Sequence, residues 1–236
     1  MADAGTATEK DLLLSHGAHE IRNPVAVITG WLGMLKTERL GPLTDLQRGA
    51  IEHIATSTAK LAVLADEMSH VSRLLVANIP IARTRVELAS LIAGEAPSVP
   101  PVLDRNVSIQ VINDAPGTAV NGDAAKLRTV FNSLMFAYRR EIVTSDELCV
   151  ALDRVTGPQP AIRVTIGGAD RIGELRRVPC SEMVPLVENR GGVGMRLTIA
   201  RFLIEAHGGQ VFSKTTPGDT PRSVLILGAV VILPEA

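Results

Sequence analysis

The chain has 236 residues, of which 46% are hydrophobic and 21% are charged. It is therefore long and apolar enough for one large or two small domains. The formal net charge is −1 and no basic block is present, which excludes the electrostatic signature of a nucleic-acid-binding protein.

Two isolated cysteines, Cys149 and Cys180, lack the close spacing of metal ligands, so we expect no metal site and a reducing compartment. No apolar run approaches the roughly 18 residues that span a bilayer. Residues 1–11 lack the basic and apolar regions of a signal peptide. The sequence therefore predicts a cytoplasmic protein that binds neither nucleic acid nor membrane.

The first part of the chain predicts two long helices. In residues 10–37 apolar side chains recur in steps of four and three, as in a helix that packs in a bundle: Ile21, Val25, Ile28, Leu32 and Leu35. Thr44 and Gln47 form a capping-box pattern at the start of the second helix. We infer an antiparallel helical hairpin over residues 10–79. It is expected to form a homodimer, a four-helix bundle, because one hairpin cannot cover both of its apolar stripes.

Near residue 80 the pattern changes to alternating strands and helices. A strand that leads into a short helix is predicted at 86–93, and helices are predicted at 123–138 and 195–207. Further strands are predicted at five places: 107–112, 147–155, 161–166, 211–213 and 223–233. This order indicates an α/β sandwich over residues 80–236, with helices on one face of a mixed sheet. The fold class is thus α + α/β.

One hexapeptide of the first helix, HEIRNP, begins at His19. His19 lies two residues from Ile21 and should project away from the apolar stripe, with one ring nitrogen available as a nucleophile. Glu20 can accept the other ring proton or act as a general base. Asn23 lies one turn after His19 on the same face, and Pro24 is expected to bend the helix. His19, Glu20 and Asn23 are therefore the candidate catalytic residues.

The other histidines have plainer interpretations. His16 is followed by glycine rather than an acid and is expected at the surface, as are His53 and His70 on the second helix. His207 is expected to cap its helix, where a cation would suit the helix dipole. Arg22 is expected to form an ion pair. Three residues are assigned to the bundle interface: Trp31, Leu32 and Met34.

The HEIRNP segment resembles the H-box of the sensor histidine kinase family. In that family the histidine is phosphorylated, the following acid assists, and the residue four positions later helps to dephosphorylate a response regulator. The resemblance implies these roles for His19, Glu20 and Asn23. It also implies a dimerisation and phosphotransfer hairpin followed by a GHKL-type domain with the Bergerat-like ATPase fold. Residues 122–132 are similar to its N-box helix, and residues 190–209 to its last glycine box.

The second domain departs from this pattern where the family binds nucleotide. Phe136 stands in place of the asparagine that holds Mg²⁺, and an aromatic ring offers no oxygen to a hard cation. Gly167 stands in place of the aspartate that recognises adenine, and Arg196 replaces a glycine of the last box. Asp170 would replace the aspartate only if the strand register slipped. The vestigial nucleotide site keeps Asn132, Gly192 and Gly194, while Ala169 and Arg171 replace two further glycines.

These departures favour a kinase-like histidine phosphotransferase that passes phosphate to or from receiver aspartates through His19, with ATP binding impaired and no resident cofactor. Its partners would be a response-regulator receiver domain and an upstream histidine kinase. Two alternatives stay open. One is an active cytosolic histidine kinase that uses ATP and Mg²⁺. The other is a non-catalytic pseudokinase scaffold that binds a response regulator. Glu20 and Asn23 would also permit a phosphatase role.

Overall fold

The computed structural model describes residues 4–76, 80–102, 105–115, 117–142, 144–156, 159–188, 193–217 and 224–236. The chain forms two compact units, Met1–Asn78 and Ile79–Ala236. The first is a hairpin of α1 (Ala4–Lys36) and α2 (Asp45–Val76). At the start of α2 the Gln47 amide N–H donates to Thr44 Oγ1 (3.3 Å), and the Thr44 N–H donates to Gln47 Oε1 (2.9 Å). This reciprocal pair confirms the capping box.

Buried positions in the hairpin recur every seven residues. The repeat contains Ala18, Val25 and Leu32 in α1, and Ile51, Thr58, Ala65 and Ser72 in α2; Val71, next to Ser72, is buried as well. A seven-residue repeat produces a narrow seam along each helix, so the positions between its members lie outside it. Ile28, expected in the buried stripe of a helix that packs in a bundle, is 40% exposed in the single hairpin, so its burial in a dimer stays a prediction.

The second unit contains four helices and eight strands in its described residues. The helices are α3 (Leu88–Glu95), α4 (Ala124–Glu141), α5 (Ile172–Leu175) and α6 (Arg196–Ala206). The strands are β1 (Thr84–Glu87), β2 (Ser108–Asn113), β3 (Ala119–Gly122), β4 (Glu147–Val155), β5 (Ala161–Gly168), β6 (Val184–Pro185), β7 (Gln210–Pro217) and β8 (Val224–Pro234). Short 3₁₀ turns lie at Ala96–Ser98 and Cys180–Glu182.

Six strands form one sheet in the order β2-β4-β5-β8-β7-β6, with β2 parallel to β4 and the other pairs antiparallel. The mixed sheet that the sequence predicts is thus confirmed. Strand β3 was not predicted, and it pairs with β1 in a separate two-stranded sheet. The last predicted strand began at Ser223, which lies outside the described residues.

Helices cover one face of the six-stranded sheet. On β5 this face carries Ile162, Val164 and Ile166, all fully buried. Ile166 is in register with Ala229 of β8, which is in register with Ser213 of β7. Because the Ser213 hydroxyl lies 3.2 Å from the Tyr138 hydroxyl of α4, this row of residues faces the helix layer.

The opposite face carries a notch formed by two glycines. Gly167 and Gly228 are directly paired across β5 and β8, and Leu175 of α5 lies against both, in the space that their side chains would occupy. Leu175 is 1% exposed. The Arg163 guanidinium donates to the carbonyl oxygens of Leu175 (2.8 Å) and Val178 (2.7 Å). These bonds hold the segment after β5 on the sheet face that points away from the helices.

A buried hydrogen-bond chain joins the start of α4 to the end of α6. The Asp123 N–H donates to His207 Nε2 (3.0 Å), and Nδ1 of the same ring bonds the Leu203 carbonyl (2.6 Å). Nε2 must therefore be an acceptor, and Nδ1 carries the proton. Burial lowers the pKa of His207, outweighing the Leu203 carbonyl, which raises it. His207 does cap α6, but the expectation of a cation there is wrong.

Asp123 is the N-cap of α4. Its Oδ1 accepts from the backbone N–H groups of Ala125 (3.1 Å) and Lys126 (3.2 Å), and its Oδ2 accepts from the Lys126 ammonium (2.6 Å). The side-chain bond from Lys126 lowers the pKa of Asp123 to about 2. The carboxylate therefore keeps its capping role throughout the pH range in which His207 titrates.

We predict that this arrangement makes the stability of the second unit depend on pH. Below pH 6.5 His207 is protonated more readily in the unfolded chain than in the folded chain, because its pKa is lowered in the folded state. The free energy of unfolding should fall toward pH 5 by up to about 1.4 kcal/mol per pH unit. Urea unfolding at pH 7 and pH 5 measures this. His207→Gln should be less stable at pH 7 but should lose less stability between the two pH values. An equal loss in both proteins would contradict the prediction.

Two glycine substitutions should act in opposite directions. A Cβ at Gly94 in α3 meets no atom within 4 Å, so Gly94→Ala should stabilise the protein by about 0.5–1 kcal/mol through helix propensity. A Cβ at Gly228 meets the Ile166 carbonyl and Leu175 Cδ1, so Gly228→Ala should destabilise it by about 1–3 kcal/mol through overpacking. Thermal unfolding of both variants tests these two predictions. Equal shifts of the unfolding midpoint would contradict the close packing of Leu175 against Gly228.

Candidate functional site

His19 lies on the exposed side of α1, next to the buried Ala18. Its side chain is 68% exposed and that of Glu20 is 81% exposed. The amide nitrogen of Asn23 lies 3.5 Å from His19 Nδ1, and Glu20 Oε1 lies 3.9 Å from the same nitrogen. Both neighbours thus approach Nδ1 and leave Nε2 accessible. The structure brings together the three residues that the sequence selected.

The ring environment can support either tautomer of His19. The Asn23 amide can turn either its N–H group or its oxygen toward the ring. It can therefore hydrogen-bond to His19 Nδ1 whether that nitrogen carries a lone pair or a proton. When its oxygen faces Nδ1, the proton is held there and Nε2 keeps the lone pair that a nucleophile needs. Asn23 is therefore placed to orient the His19 ring.

An ion pair joins the two helices one turn from His19. The Arg22 guanidinium donates to Asp66 Oδ1 (2.8 Å) and Ser69 Oγ (3.1 Å) of α2. Its side chain is 44% exposed, so the pair is solvent-screened and adds little stability, as expected from its sequence. His16 and His53 are exposed as predicted, but His70 is half-buried and burial lowers its pKa, which corrects its assignment to the surface.

Asn132, the retained N-box asparagine, makes contacts within the protein. Its Nδ2 donates to Glu95 Oε1 (2.9 Å) and Ser98 Oγ (3.0 Å). These bonds join α4 to the 3₁₀ turn that follows α3. The Asn132 amide nitrogen therefore links two elements of the second unit.

Phe136, one turn further along α4, lies beside two arginines. The guanidinium carbon of Arg196 lies 4.7 Å from the ring centroid, and that of Arg140 lies 5.5 Å from it. Both distances are typical of cation–π contacts. Two of the departures seen in the sequence, Phe136 and Arg196, therefore touch each other. Neither a ring nor a guanidinium supplies an oxygen ligand, so these residues do not fit Mg²⁺ at this place.

Gly167 and Gly168, at the end of β5, face opposite sides of the sheet. Gly167 faces Leu175, on the side away from the helices, whereas a Cβ at Gly168 would lie 3.5 Å from Ile142 Cγ2, at the end of α4. Asp170 Oδ1 lies 2.6 Å from that same Cβ position, and its Oδ2 accepts from Thr144 Oγ1 (2.7 Å). A carboxylate therefore reaches the helix side of the sheet.

No slip of the strand register is needed for this placement. The β4–β5 ladder is regular from Leu148↔Gly168 to Val155↔Ala161. The chain then turns, with the Arg171 N–H donating to the Gly168 carbonyl (2.9 Å), and this turn carries Asp170 back over Gly168. The turn after β5 thus brings the Asp170 carboxylate beside Gly168 without a slipped register; strand periodicity says nothing about such a turn.

Of the last glycine box, Gly194 is exposed and has a φ of +64°, a left-handed conformation that favours glycine. Gly192 lies outside the described residues. Within those residues no group of three or more His, Cys, Asp or Glu side chains is arranged to hold a metal ion. No helix in the described part of the chain has the length and apolarity needed to cross a membrane.

Comparison with known proteins agrees with this geometry. The His Kinase A (phospho-acceptor) domain family matches residues 9–75, the hairpin that carries His19. The sensor protein VanS of Enterococcus faecium is 24% identical over 218 residues, which is 89% of this chain and 55% of VanS. Residues 9–75 thus match a phospho-acceptor domain of histidine kinases, and the similarity to sensor histidine kinases extends beyond this domain.

Two further similarities define how far this relationship extends. The probable sensor histidine kinase TcrY of Mycobacterium tuberculosis is 24% identical over 221 residues, 89% of this chain and 44% of TcrY. The chain thus spans about half the length of these two relatives. A crystal structure of full-length ShkA in complex with AMPPNP has the same fold, with a TM-score of 0.61 and 21% identity over 95% of this chain and 46% of that one.

The hairpin leaves large apolar side chains uncovered, including Val27 (60% exposed), Trp31 (54%) and Leu61 (46%). Exposed apolar area of this kind is typical of an interface. Of the three residues assigned to the bundle interface, Leu32 is already buried within the hairpin, whereas Trp31 remains available for a partner.

We predict that Trp31→Glu weakens the homodimer by about tenfold or more, because buried tryptophans commonly dominate interfaces. Sedimentation velocity over a dilution series measures the dissociation constant. The control is Val184→Glu, which adds the same charge at a 41% exposed apolar residue of the second unit. As Trp31 is the single tryptophan, its fluorescence in the unchanged protein should shift to the red on dilution. If both variants associated equally, Trp31 would not lie in the dimer interface.

Proposed function

We propose that this protein is a histidine phosphotransferase that carries a phosphoryl group on His19 Nε2 and exchanges it with the aspartate of a receiver domain. The observation that carries the proposal is the environment of the ring. His19 is 68% exposed and its two polar neighbours both approach Nδ1, so Nε2 remains open to a partner protein. The membership of residues 9–75 in the phospho-acceptor family supports this assignment.

The transfer balances with the residues present. The Nε2 lone pair attacks the phosphorus of the aspartyl phosphate, an N–P bond forms, the P–O bond to the aspartate breaks, and that carboxylate leaves with the bonding electrons. The ring then carries a positive charge, because Nδ1 keeps its proton. Glu20, whose carboxylate lies 3.9 Å from Nδ1, stabilises this charge. The reverse reaction returns the phosphoryl group to an aspartate.

Features of the second unit support a protein donor rather than ATP. The ring of Phe136 and the guanidinium of Arg196 stand at positions where the family binds Mg²⁺ and phosphate, and they contact each other. Gly167 has no side chain that could bind a base, and it faces Leu175 on the side of the sheet away from the helices. Loss of several such binding groups, each worth about 1–3 kcal/mol, would weaken Mg-nucleotide binding by orders of magnitude.

The competing candidate is an ATP-dependent histidine kinase, and one contact favours it. The Asp170 carboxylate reaches the helix side of β5 beside Gly168, where it can accept hydrogen bonds from a nucleotide base. The likeness of the fold to ShkA, which was solved with AMPPNP, is compatible with this candidate. The two functions differ in one measurable respect, the source of the phosphoryl group.

A paired labelling experiment on the full chain tests the proposal. The protein is incubated either with labelled ATP and Mg²⁺ or with a receiver domain that carries labelled phosphate on its aspartate. We expect an acid-labile, base-stable label on the protein from the receiver and none from ATP. His19→Ala should lower this label by at least about 100-fold, since no other nucleophile replaces the imidazole.

His16→Ala is the matched control, because His16 is also exposed and lies one turn earlier on α1; it should label normally. Label from ATP alone would establish the kinase instead. Absence of label from both donors, with the receiver still bound, would overturn the phosphotransferase in favour of a scaffold. Loss of receiver phosphate without labelled protein would indicate a phosphatase.

A further inference from the structure

A cavity of about 620 Å³ opens on the second unit, on the face of the six-stranded sheet that points away from the helices. Its charged lining consists of four arginines and one carboxylate: Arg154, Arg163, Arg176, Arg177 and Asp153. We propose that this cavity binds a phosphate group, and that its size favours the monoester of a small molecule over the free ion. The proposal does not depend on phosphotransfer through His19.

Strands β4 and β5 form one side of the cavity, and the segment that contains α5 forms another. Asp153 and Arg163 are directly paired across the two strands and therefore share a face of the sheet. Nη2 of Arg163 donates to the carbonyl oxygens of Leu175 (2.8 Å) and Val178 (2.7 Å), which identifies this face as the one that α5 covers. These bonds tie the two sides together, so the cavity is formed before any ligand binds.

The charge of Arg163 is not matched by an acid within the described residues. The residue is half-buried, and besides the two carbonyl oxygens its guanidinium bonds Thr165 Oγ1, through Nε (3.4 Å). All three acceptors are neutral. The remaining nitrogen, Nη1, has no acceptor in the described part of the chain, yet it is not sealed from solvent. Arg163 therefore offers a positive charge and an open donor to a ligand in the cavity that it lines.

The carboxylates beside the cavity are engaged by the other arginines. Both oxygens of Asp153 accept from Arg176, which also donates to Asp114. Arg154 donates from Nε to Glu235 Oε1 (2.7 Å). Three carboxylates are thus paired with two of the four arginines.

Arg177 is the second arginine without an acid. Its side chain is exposed and forms no ion pair or hydrogen bond with the described residues, and the acid nearest in sequence, Glu174, lies beside Arg171 (3.7 Å between Oε2 and Nη1). Arg163 and Arg177 therefore place two positive charges around one cavity, and an anion between them removes their repulsion. Guanidinium groups match phosphate oxygens through paired N–H groups, and the Thr156 hydroxyl in the lining can add another donor.

The size of the cavity and its modest charge point to a small ligand. A volume of about 620 Å³ lies within the range of about 300–1,000 Å³ that is common for small-molecule sites, and a phosphate ion would fill only a fraction of it. Val155, which is 38% exposed, and Gly173 also line the cavity, so an uncharged part of the ligand can lie against them. Four arginines against three carboxylates leave an excess of one positive charge, which suits a single phosphate group better than a polyanion such as nucleic acid.

A titration of the full chain followed by amide NMR tests this proposal, with glucose 6-phosphate and inorganic phosphate as separate ligands at constant ionic strength. We expect saturable shifts at residues 153–156 and 173–177, with a dissociation constant of about 1 mM or below for the ester. Arg177→Gln should weaken binding by about fivefold or more, because it removes a charged hydrogen-bond donor. Arg177→Lys keeps the charge but loses the paired N–H groups, and its affinity should lie between the two.

Two controls separate this site from general charge and from phosphotransfer. Arg128→Gln removes an exposed arginine of α4, in the helix layer on the other face of the sheet, and should bind normally. His19→Ala should also bind normally, so failure of the phosphotransfer proposal leaves this one standing. Tighter binding of the ester than of the ion would confirm the proposal in full, and equal binding would confirm the phosphate site but assign it to the free ion. No saturation by about 20 mM of either ligand, shifts confined to other residues, or an equal loss in Arg128→Gln would overturn the proposal.

Discussion

The second unit depends on the fixed pairing of α4 with α6, which are held together at both ends by different forces. At one end the buried His207 ring accepts from the Asp123 N–H at the start of α4. At the other end Arg196, the first residue of α6, stacks on Phe136 of α4. The two helices therefore run antiparallel. The hydrogen bond is buried and directional, whereas the stack is partly exposed and tolerates small shifts.

The hairpin obeys a different constraint, the seven-residue seam. The seam buries small residues such as Ala18 and Ala65, which lets the two helices approach closely. His19 follows a seam residue directly, so its side chain leaves the helix pair on the solvent side. The same narrow seam leaves Trp31 uncovered. One pattern thus accounts for the exposed His19 and for an apolar surface that a second hairpin can cover.

Local sequence signals predicted much of this structure. The capping box of Thr44 and Gln47 and the spacing of HEIRNP depend on residues within a few positions of each other, and the structure reproduces the predicted contacts. Strand β3 was missed because its four residues, AVNG, are too few for an alternating pattern to emerge. The neutral state of His207 could not be foreseen, because its partner Asp123 lies 84 residues away in the chain.

Other differences between the predictions and the structure also arise because local sequence patterns do not show which residues meet in space. Strand periodicity gave the correct extent of β5 to within two residues, but it could not show which glycine faces the helices or that the following turn brings Asp170 back. In the same way, Phe136 and Arg196 are two unrelated departures when read along the chain. Only the packing of α4 on α6 reveals that they form a contact.

That contact has a consequence for mutagenesis. The half-buried ring of Phe136 lies against the guanidinium of Arg196, so a substitution at either position changes the surroundings of the other. Residues in contact commonly have interaction free energies of about 0.5–3 kcal/mol. The result of introducing an oxygen ligand at position 136 should therefore depend on the residue at position 196, and the double variant should differ from the sum of the two single ones.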